Sequence, residues 1–178
     1  MLGNYNHLKN VISDLGMIGL KAATFSQWSF AILSVFCLLF SIGLIKAVKQ
    51  IKISIIPAIL TIAFPIVQVW GMVLYPLPNP SHSALGAMPL LINLGALLGF
   101  ILWRKKEIDG LSKIRVWSIV SFLVTMLIAL RFTSFGMEFQ GLVQRFFYLG
   151  WSIWSISLSV YFIREIDGLK NSDGKAST

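Results

Sequence analysis

Five stretches of the sequence are mostly apolar over about 20 residues, the helical length needed to cross the hydrocarbon core of a bilayer. They cover residues 27–47, 53–75, 85–103, 116–134 and 144–163. An open sheet edge in lipid would leave backbone polar groups without partners, so each stretch is predicted to be a helix. The short connections favour an all-α, polytopic transmembrane bundle of five spanning helices in which neighbours run antiparallel.

The composition agrees with a membrane bundle and excludes a disordered or ordinary soluble chain. Of 178 residues, 56% are hydrophobic and only 12% are charged, against about 25% charged in soluble domains. The single cysteine, Cys37, excludes a disulfide framework and a zinc-type cysteine spacing. Nothing near Met1 combines the basic start, apolar run and cleavage site of a secretory signal, so we expect none.

Basic residues predict the orientation of the bundle, because cytoplasmic loops of membrane proteins carry an excess of Lys and Arg. Eleven of the fifteen follow the first, third and fifth stretches: Lys46, Lys49, Lys52, Arg104, Lys105, Lys106, Lys113, Arg115, Arg164, Lys170 and Lys175. The N-terminus is therefore predicted outside and the C-terminus in the cytoplasm. Residues 1–26 form an amphipathic outer-face segment, residues 27–163 the bundle and residues 164–178 a cytoplasmic tail. This distribution also argues against nucleic acid as a partner.

Small residues at helical spacing predict where helices contact each other in lipid. The predicted contact stripes are Ser34, Cys37 and Ser41; Gly95 and Gly99; Ser118, Ser121 and Thr125; and Ser152, Ser155 and Ser159. Aromatic residues near the ends of the stretches, Trp103, Tyr148 and Trp151 among them, are predicted to lie at the headgroup layer, which amphipathic rings prefer.

The second and third stretches are predicted to be bent and polar on one face. Pro57, Pro65 and Pro89 each remove a backbone donor, which kinks a helix. Gln68 and Asn93 lie on the same faces as these prolines. Because such faces turn toward neighbouring helices or water, we expect Gln68 and Asn93 to line any cavity. Hydrogen bonding between helices, without a cavity, explains the two amides equally well.

A pentapeptide occurs twice, as residues 107–111 and 165–169, each after a predicted cytoplasmic helix end. The repeat suggests either a duplicated helical hairpin or two similar helix ends. Gly110 and Gly168 are predicted to reverse the chain after a helix.

Polar residues of the predicted outer face form the candidate site. They are Asn10, Ser13, Asp14, Tyr75, His82, Ser83, Arg131, Glu138, Gln144 and Arg145. Ser13 and Asp14 are also predicted to cap a short surface helix through Leu15, Ile18 and Leu20. Arg131 lies about a turn inside the fourth stretch, where an ionisable side chain either snorkels to the headgroups or has a functional partner. Asp14 and Glu138 are the carboxylates that we expect as its partners.

Three polar elements follow one another along the sequence. They are Ser13-Asp14-Leu15-Gly16, then Tyr75-Pro76 with Ser81-His82-Ser83-Ala84, then Gly141-Leu142-Val143-Gln144-Arg145. This order resembles a family of small prokaryotic integral membrane proteins that is catalogued only as a domain of unknown function. The resemblance implies six spans, with one helix before the first element. Because this chain begins at that element, we expect either that the first span is absent or that the start of the chain is assigned too late. The resemblance also places Asp14, His82 and Arg145 on the outer face, and it implies no activity.

Three functions fit these features. In the first, a multi-pass protein of the cell (cytoplasmic or inner) membrane holds a lipid headgroup or small amphiphile, with Arg131 and Arg145 on its phosphate or carboxylate. In the second, a membrane-embedded enzyme modifies a lipid or isoprenoid through Asp14 or Glu138 as general acid or base, with His82 as proton carrier.

The third function is an oligomeric transporter or channel lined by Gln68 and Asn93. No nucleophile–base pair, phosphate loop or HExxH-type motif occurs in the sequence, which favours binding over catalysis and predicts no metal and no cofactor. The expected partners are membrane lipid and either a second copy of the chain or another membrane protein.

Overall fold

The computed structural model describes residues 5–85, 88–104 and 110–176, with side chains described as far as residue 165. Its long helices, α1 to α5, cover Ala23–Gln50, Ile56–Leu74, Met88–Leu102, Leu111–Phe132 and Gln140–Ala176. Three shorter elements lie between or before them: 3-10 turns at Ile12–Gly16 and Pro80–Ser83 and a helix at Ser134–Glu138. These described ranges contain no strand.

Within the described residues, five helical segments are long and apolar enough to cross a membrane, which indicates a multi-pass membrane protein. They are Ala23–Gln50, Ile56–Leu74, Pro80–Leu102, Leu111–Phe132 and Gln140–Glu165. The prediction of an all-helical chain with five such segments is confirmed. The predicted bounds differ by at most five residues, as for the third segment, which starts at Pro80 and not at 85.

One face of helix α5 contacts all four of the other long helices. The buried side chains of this face are Val143, Phe147, Trp151, Trp154, Leu158 and Phe162. The ring of Trp151 stacks on Phe64 of α2 at 4.4 Å between centroids, and Phe40 of α1 meets it edge-on at 6.1 Å. Dispersion between such large rings stabilises the packing of these helices.

Two tryptophans predicted at the headgroup layer are instead buried inside the bundle. Trp103 is fully buried, and its indole N–H donates to the carbonyl oxygen of Ser54 at 2.9 Å. Trp151 is buried against Phe64. Their positions near the ends of apolar stretches indicated depth in the bilayer. The direction in which each ring faces was decided by packing against neighbouring helices.

Helices α4 and α5 approach closely through small residues, as predicted for α4. Ser118, Ser121 and Thr125 are buried, and the Ser121 hydroxyl donates to the carbonyl oxygen of Gly150 at 2.7 Å. The indole N–H of Trp154 donates to the Ser118 hydroxyl at 3.0 Å. The prediction that the serine stripe of α5 packs closely against a neighbouring helix was wrong. Ser152 is exposed, and Ser155 and Ser159 line an apolar groove beside α1.

Helix α2 is interrupted in the region where a bend was predicted. Its regular parts are Ile56–Leu60 and Ala63–Gln68, followed by a π-helical turn at Val69–Leu74. Pro65 has no N–H to donate to the carbonyl of Thr61, and that carbonyl accepts from the N–H of Phe64 at 3.1 Å. The Thr61 hydroxyl bonds the Ser41 hydroxyl of α1 at 2.8 Å, so the break is also a helix contact.

Two predictions near the chain termini need correction. The turn at Ile12–Gly16 ends before Ile18 and Leu20, which are exposed, so no short helix runs through them. Helix α5 continues to Ala176, so Gly168 does not reverse the chain. Gly110 has a positive φ of 74° immediately before α4. Residues 107–109 of the repeated pentapeptide lie outside the described residues.

The antiparallel helices separate two ends of the bundle. At the first, the Ile18 N–H donates to the carbonyl of Leu77 at 2.8 Å, and Lys9 pairs with Glu138. We call this the cavity end; it contains residues 5–22, 75–85 and 132–140. The opposite, basic end contains the described cations Lys46, Lys49, Lys52, Arg104, Lys113, Arg115 and Arg164.

Candidate binding cavity

A cavity of about 420 Å³ lies at the cavity end of the bundle. It is bounded by the N-terminal segment, the π-helical end of α2, the start of the third segment, the end of α4 and the first turns of α5. Six of the residues predicted for the candidate site or for a cavity line it: Ser13, Gln68, His82, Ser83, Arg131 and Gln144. Residues far apart in the chain therefore converge on one space.

The cavity wall is apolar between its polar groups. Met72, Leu77, Ile128, Val143 and Phe147 contribute much of the lining. An apolar wall with a few convergent polar groups is typical of binding sites for small amphiphilic molecules. The volumes of such sites run from about 300 to 1,000 Å³.

His82 is held in place by the loop between α2 and α3. Its Nδ1 lies 3.0 Å from the carbonyl oxygen of Tyr75. A carbonyl only accepts, so Nδ1 of His82 donates this hydrogen bond. Asn79 accepts from the N–H of Ser81 at 2.9 Å, and the Trp70 indole donates to the Ser81 carbonyl at 2.9 Å. These bonds fix the loop that presents His82 and Ser83 to the cavity.

Arg131 is the charged side chain among the residues that line the cavity. It lies in the 3-10 turn that ends α4, is exposed, and places its guanidinium carbon 5.7 Å from the centroid of the Phe132 ring. No described carboxylate lies within 4.0 Å of it. Its positive charge is therefore not neutralised by the protein around the cavity.

The two carboxylates expected to pair with Arg131 have other partners. Asp14 accepts from the Val11 N–H at 3.1 Å and from the Asn10 side chain at 3.3 Å, which fixes the turn at Ile12–Gly16. Glu138 lies 3.3 Å from the Lys9 ammonium, and both side chains are more than half exposed, so this pair contributes little stability. Neither carboxylate lines the cavity.

Arg145 fastens the N-terminal segment to α5 and does not line the cavity. Its guanidinium donates to the Gly141 carbonyl at 2.8 Å, to the Tyr5 hydroxyl at 3.1 Å and to the carbonyls of His7 and Asn10. All of these acceptors are uncharged. Arg145 therefore has a positioning role in the structure, which its residue type alone did not indicate.

We call residues 5–16 the strap. Its Leu8 and Lys9 carbonyls accept from the N–H groups of Leu142 and Gly141 at 3.0 and 3.2 Å, which caps the start of α5. The Ile12 N–H donates to the Gln144 side chain at 2.6 Å. Because Val11 and Ser13 line the cavity, the strap forms one of its walls.

The inner part of the cavity contains a polar pair. The side-chain nitrogen of Gln68 donates to the Tyr148 hydroxyl at 3.0 Å, and both residues line the cavity. Tyr148 was predicted only as a headgroup-layer aromatic. Tyr148 follows Gln144 by four residues and so lies on the same face of α5, a spacing that would have placed it in the predicted site.

Two other predicted residues lie beside the cavity without lining it. Asn93 is buried one turn beyond Pro89, which does line the cavity. Tyr75 packs its ring against Trp70 at 4.5 Å between centroids and offers its carbonyl to His82. No group of three His, Cys, Asp or Glu side chains in the described part of the chain could hold a metal ion.

The three sequence elements behind the family resemblance surround this cavity. Ser13, the segment from Ser81 to Ser83 and the segment from Gly141 to Arg145 all lie at the cavity end. No protein-family model, no curated protein and no solved structure matches the chain.

Proposed function

We propose that this multi-pass membrane protein binds an anionic amphiphile, a membrane lipid headgroup or a small acidic lipid, in the cavity. The observation that carries the proposal is Arg131, the one Lys, Arg, Asp or Glu side chain among the described residues that line the cavity, which no described carboxylate neutralises. Because Arg131 is exposed, we call its side of the cavity the mouth. A guanidinium binds phosphate and carboxylate with paired, charge-assisted hydrogen bonds. His82, Ser83 and Gln144 supply further hydrogen bonds at the same mouth.

The proposed orientation puts the cavity at the outer face of the cell membrane, with the N-terminus outside and the C-terminus in the cytoplasm. The described cations at the basic end support it through the positive-inside rule. An anionic headgroup would then enter the mouth from the outer leaflet. Membership of the six-span family of unknown function is part of the same proposal and adds no activity to it.

Binding of octyl phosphate by the purified protein in a neutral detergent tests the proposal, with calorimetry as the readout. We expect Arg131→Gln to weaken binding by about 10-fold or more, since a hydrogen bond to a charged group contributes roughly 1.5–3 kcal/mol. Arg164→Gln, which removes an exposed cation at the basic end, is the matched control and leaves the affinity unchanged. Equal affinity of Arg131→Gln and the wild type would overturn the proposal.

Two further ligands identify the chemical source. Inorganic phosphate without a chain and octanol without a charge each bind weakly if the site requires both parts of an amphiphile. Strong binding of inorganic phosphate alone would instead assign the mouth to a free anion.

The broken helix α2 favours transport as a second candidate function. Discontinuous helices commonly form the substrate sites of transporters, and π-helical turns are frequent at functional sites. The π-helical turn Val69–Leu74 contributes Gly71 and Met72 to the cavity wall. Uptake of labelled octyl phosphate into proteoliposomes, abolished in Arg131→Gln, distinguishes transport from binding alone.

A further inference from the structure

The polar pair at the inner end of the cavity has more hydrogen-bond donors than it uses. Gln68 and Tyr148 both line the cavity, and among the described residues the Gln68 side chain bonds Tyr148 alone. An amide nitrogen carries two protons and a phenol carries one. The pair can use at most two of these three protons internally, so at least one N–H of Gln68 has no described acceptor. Because Gln68 is only 4% exposed, an unpaired N–H there costs free energy unless water or a ligand accepts it.

The packing of α4 on α5 gives the depth of this pair below the mouth. Gly150 of α5 lies against Thr125 of α4, since a Cβ added to the glycine would clash with the Thr125 side chain. Arg131 is six residues, or roughly 9 Å of helix, from Thr125 toward the cavity end. Tyr148 is two residues, or roughly 3 Å, from Gly150 in the same direction. Arg131 therefore lies about one helical turn closer to the mouth than Tyr148.

Helix α2 has the same order of depth. The ring of His82 lies beside Gly71, where a Cβ would be 3.4 Å from the imidazole. Gln68 precedes Gly71 by three residues in a helix that runs toward the cavity end, so it lies about one turn deeper than His82. Both residues line the cavity. Two helices therefore place the uncharged pair about one turn below the groups of the mouth.

The two levels of the cavity favour different ligand groups. The mouth has the guanidinium of Arg131, whereas Gln68 and Tyr148 are surrounded by apolar lining residues such as Ile128 and Phe147. A second charge on a ligand would be costly to bury at the inner level. An uncharged acceptor there would instead receive the N–H of Gln68 that the protein leaves unpaired.

We infer that the ligand is an ester-linked anionic lipid: Arg131 binds its anionic group, and the Gln68–Tyr148 pair donates to its ester carbonyl about one turn deeper. This inference rests on the proposed function and names the lipid class and the pair that selects it. An ester carbonyl is an uncharged acceptor a few bonds from the headgroup, at the start of the chain. A site built to hydrogen-bond such a group discriminates against the analogue that lacks it, because its own donor is then left unpaired.

The test compares hexanoyloxyethyl phosphate with hexyloxyethyl phosphate, an ester and an ether that differ only in the carbonyl group. Calorimetry with the purified protein in a neutral detergent measures both affinities. We expect the ester to bind about 5-fold more tightly, the effect of one net hydrogen bond between uncharged groups.

The double variant Gln68→Met with Tyr148→Phe removes the polar pair and leaves neither member without its partner. It is expected to bind the ester and the ether equally and to keep the wild-type affinity for the ether. Thr61→Val is the control on the same helix, because Thr61 is buried, bonds Ser41 and does not line the cavity. It keeps the preference for the ester.

The outcomes separate this inference from the proposed function. Equal wild-type affinities for the two ligands, both weakened by Arg131→Gln, would overturn the inference and leave the proposed function standing. If neither ligand binds, the proposed function fails and the inference fails with it. An undiminished ester preference in the double variant would show that another group binds the carbonyl, which also overturns the inference. The wild-type comparison decides the question even if the double variant does not fold.

Discussion

The amide nitrogen of Gln68 and the hydroxyl of Tyr148 lie 3.0 Å apart and join α2 to α5 at the inner end of the cavity. The two residues are 80 positions apart in the chain. Gln68 is 4% exposed, so its amide depends on this hydroxyl for a partner.

We expect Tyr148→Phe to lower the free energy of unfolding by about 1–3 kcal/mol, because a buried amide then loses its partner. Thermal or denaturant unfolding in detergent measures the loss. The double variant with Gln68→Met removes the orphaned amide and recovers part of the stability. A double variant that is destabilised by the sum of the two single changes would contradict the pairing.

Two glycines on different helices give a matched test of the close packing between α4 and α5. A Cβ at Gly150 would clash with the Thr125 side chain, whereas a Cβ at Gly43 of α1 would meet nothing within 4 Å. Gly150→Ala should cost about 1–3 kcal/mol through overpacking. Gly43→Ala should be neutral or stabilise by roughly 0.5–1 kcal/mol, because alanine favours the helix. Equal Tm values for the two variants would contradict this interface.

Release of the strap is expected from a change at Arg145. Arg145→Gln removes the guanidinium that reaches Tyr5, His7 and Gly141, and the strap should lose about 2 kcal/mol of local stability. Hydrogen exchange of residues 5–12 should accelerate by about 10-fold or more, since 1.4 kcal/mol corresponds to a factor of ten. Exchange in α1 should not change. Arg164→Gln is the control, and unaltered exchange of the strap in Arg145→Gln would show that other contacts hold it.

Cysteine labelling tests the proposed orientation. Ser83 at the cavity end and Ser112 near the basic end are both exposed, and the native Cys37 is buried. In intact cells, Ser83→Cys should react with a membrane-impermeant thiol reagent, whereas Ser112→Cys should react only after permeabilisation. The reverse pattern would place the cavity in the cytoplasm and reject the outer-leaflet route of the ligand.

Hydropathy predicted the five helices well, because the length and apolarity of a segment are properties of the local sequence. Hydropathy predicted less well which face of each helix is buried. Ser152, Ser155 and Ser159 have the spacing of a contact face, yet the aromatic face of α5 is the buried one. Both faces have helical spacing, and only the shapes of the neighbouring helices decide between them.

The candidate site was predicted in part. Residue type and predicted side of the membrane selected His82, Ser83 and Arg131, which the structure brings to one cavity. The same criteria selected Asp14 and Arg145, whose partners are local turn groups and strap carbonyls. Residue type does not indicate which side chains will bond backbone groups. The sequence therefore could not separate the structural polar residues from the cavity-lining ones at this end of the bundle.

The packing of α5 against all four other helices has a consequence for biosynthesis. Because α5 follows α1 to α4 in the chain, those helices leave the ribosome before their common packing partner does. Until α5 arrives, Gln68 lacks Tyr148, Phe64 lacks Trp151 and the Ser121 hydroxyl lacks the Gly150 carbonyl. Val143, Gln144, Phe147 and Tyr148 of α5 line the cavity, so its wall is complete only after α5 has been made.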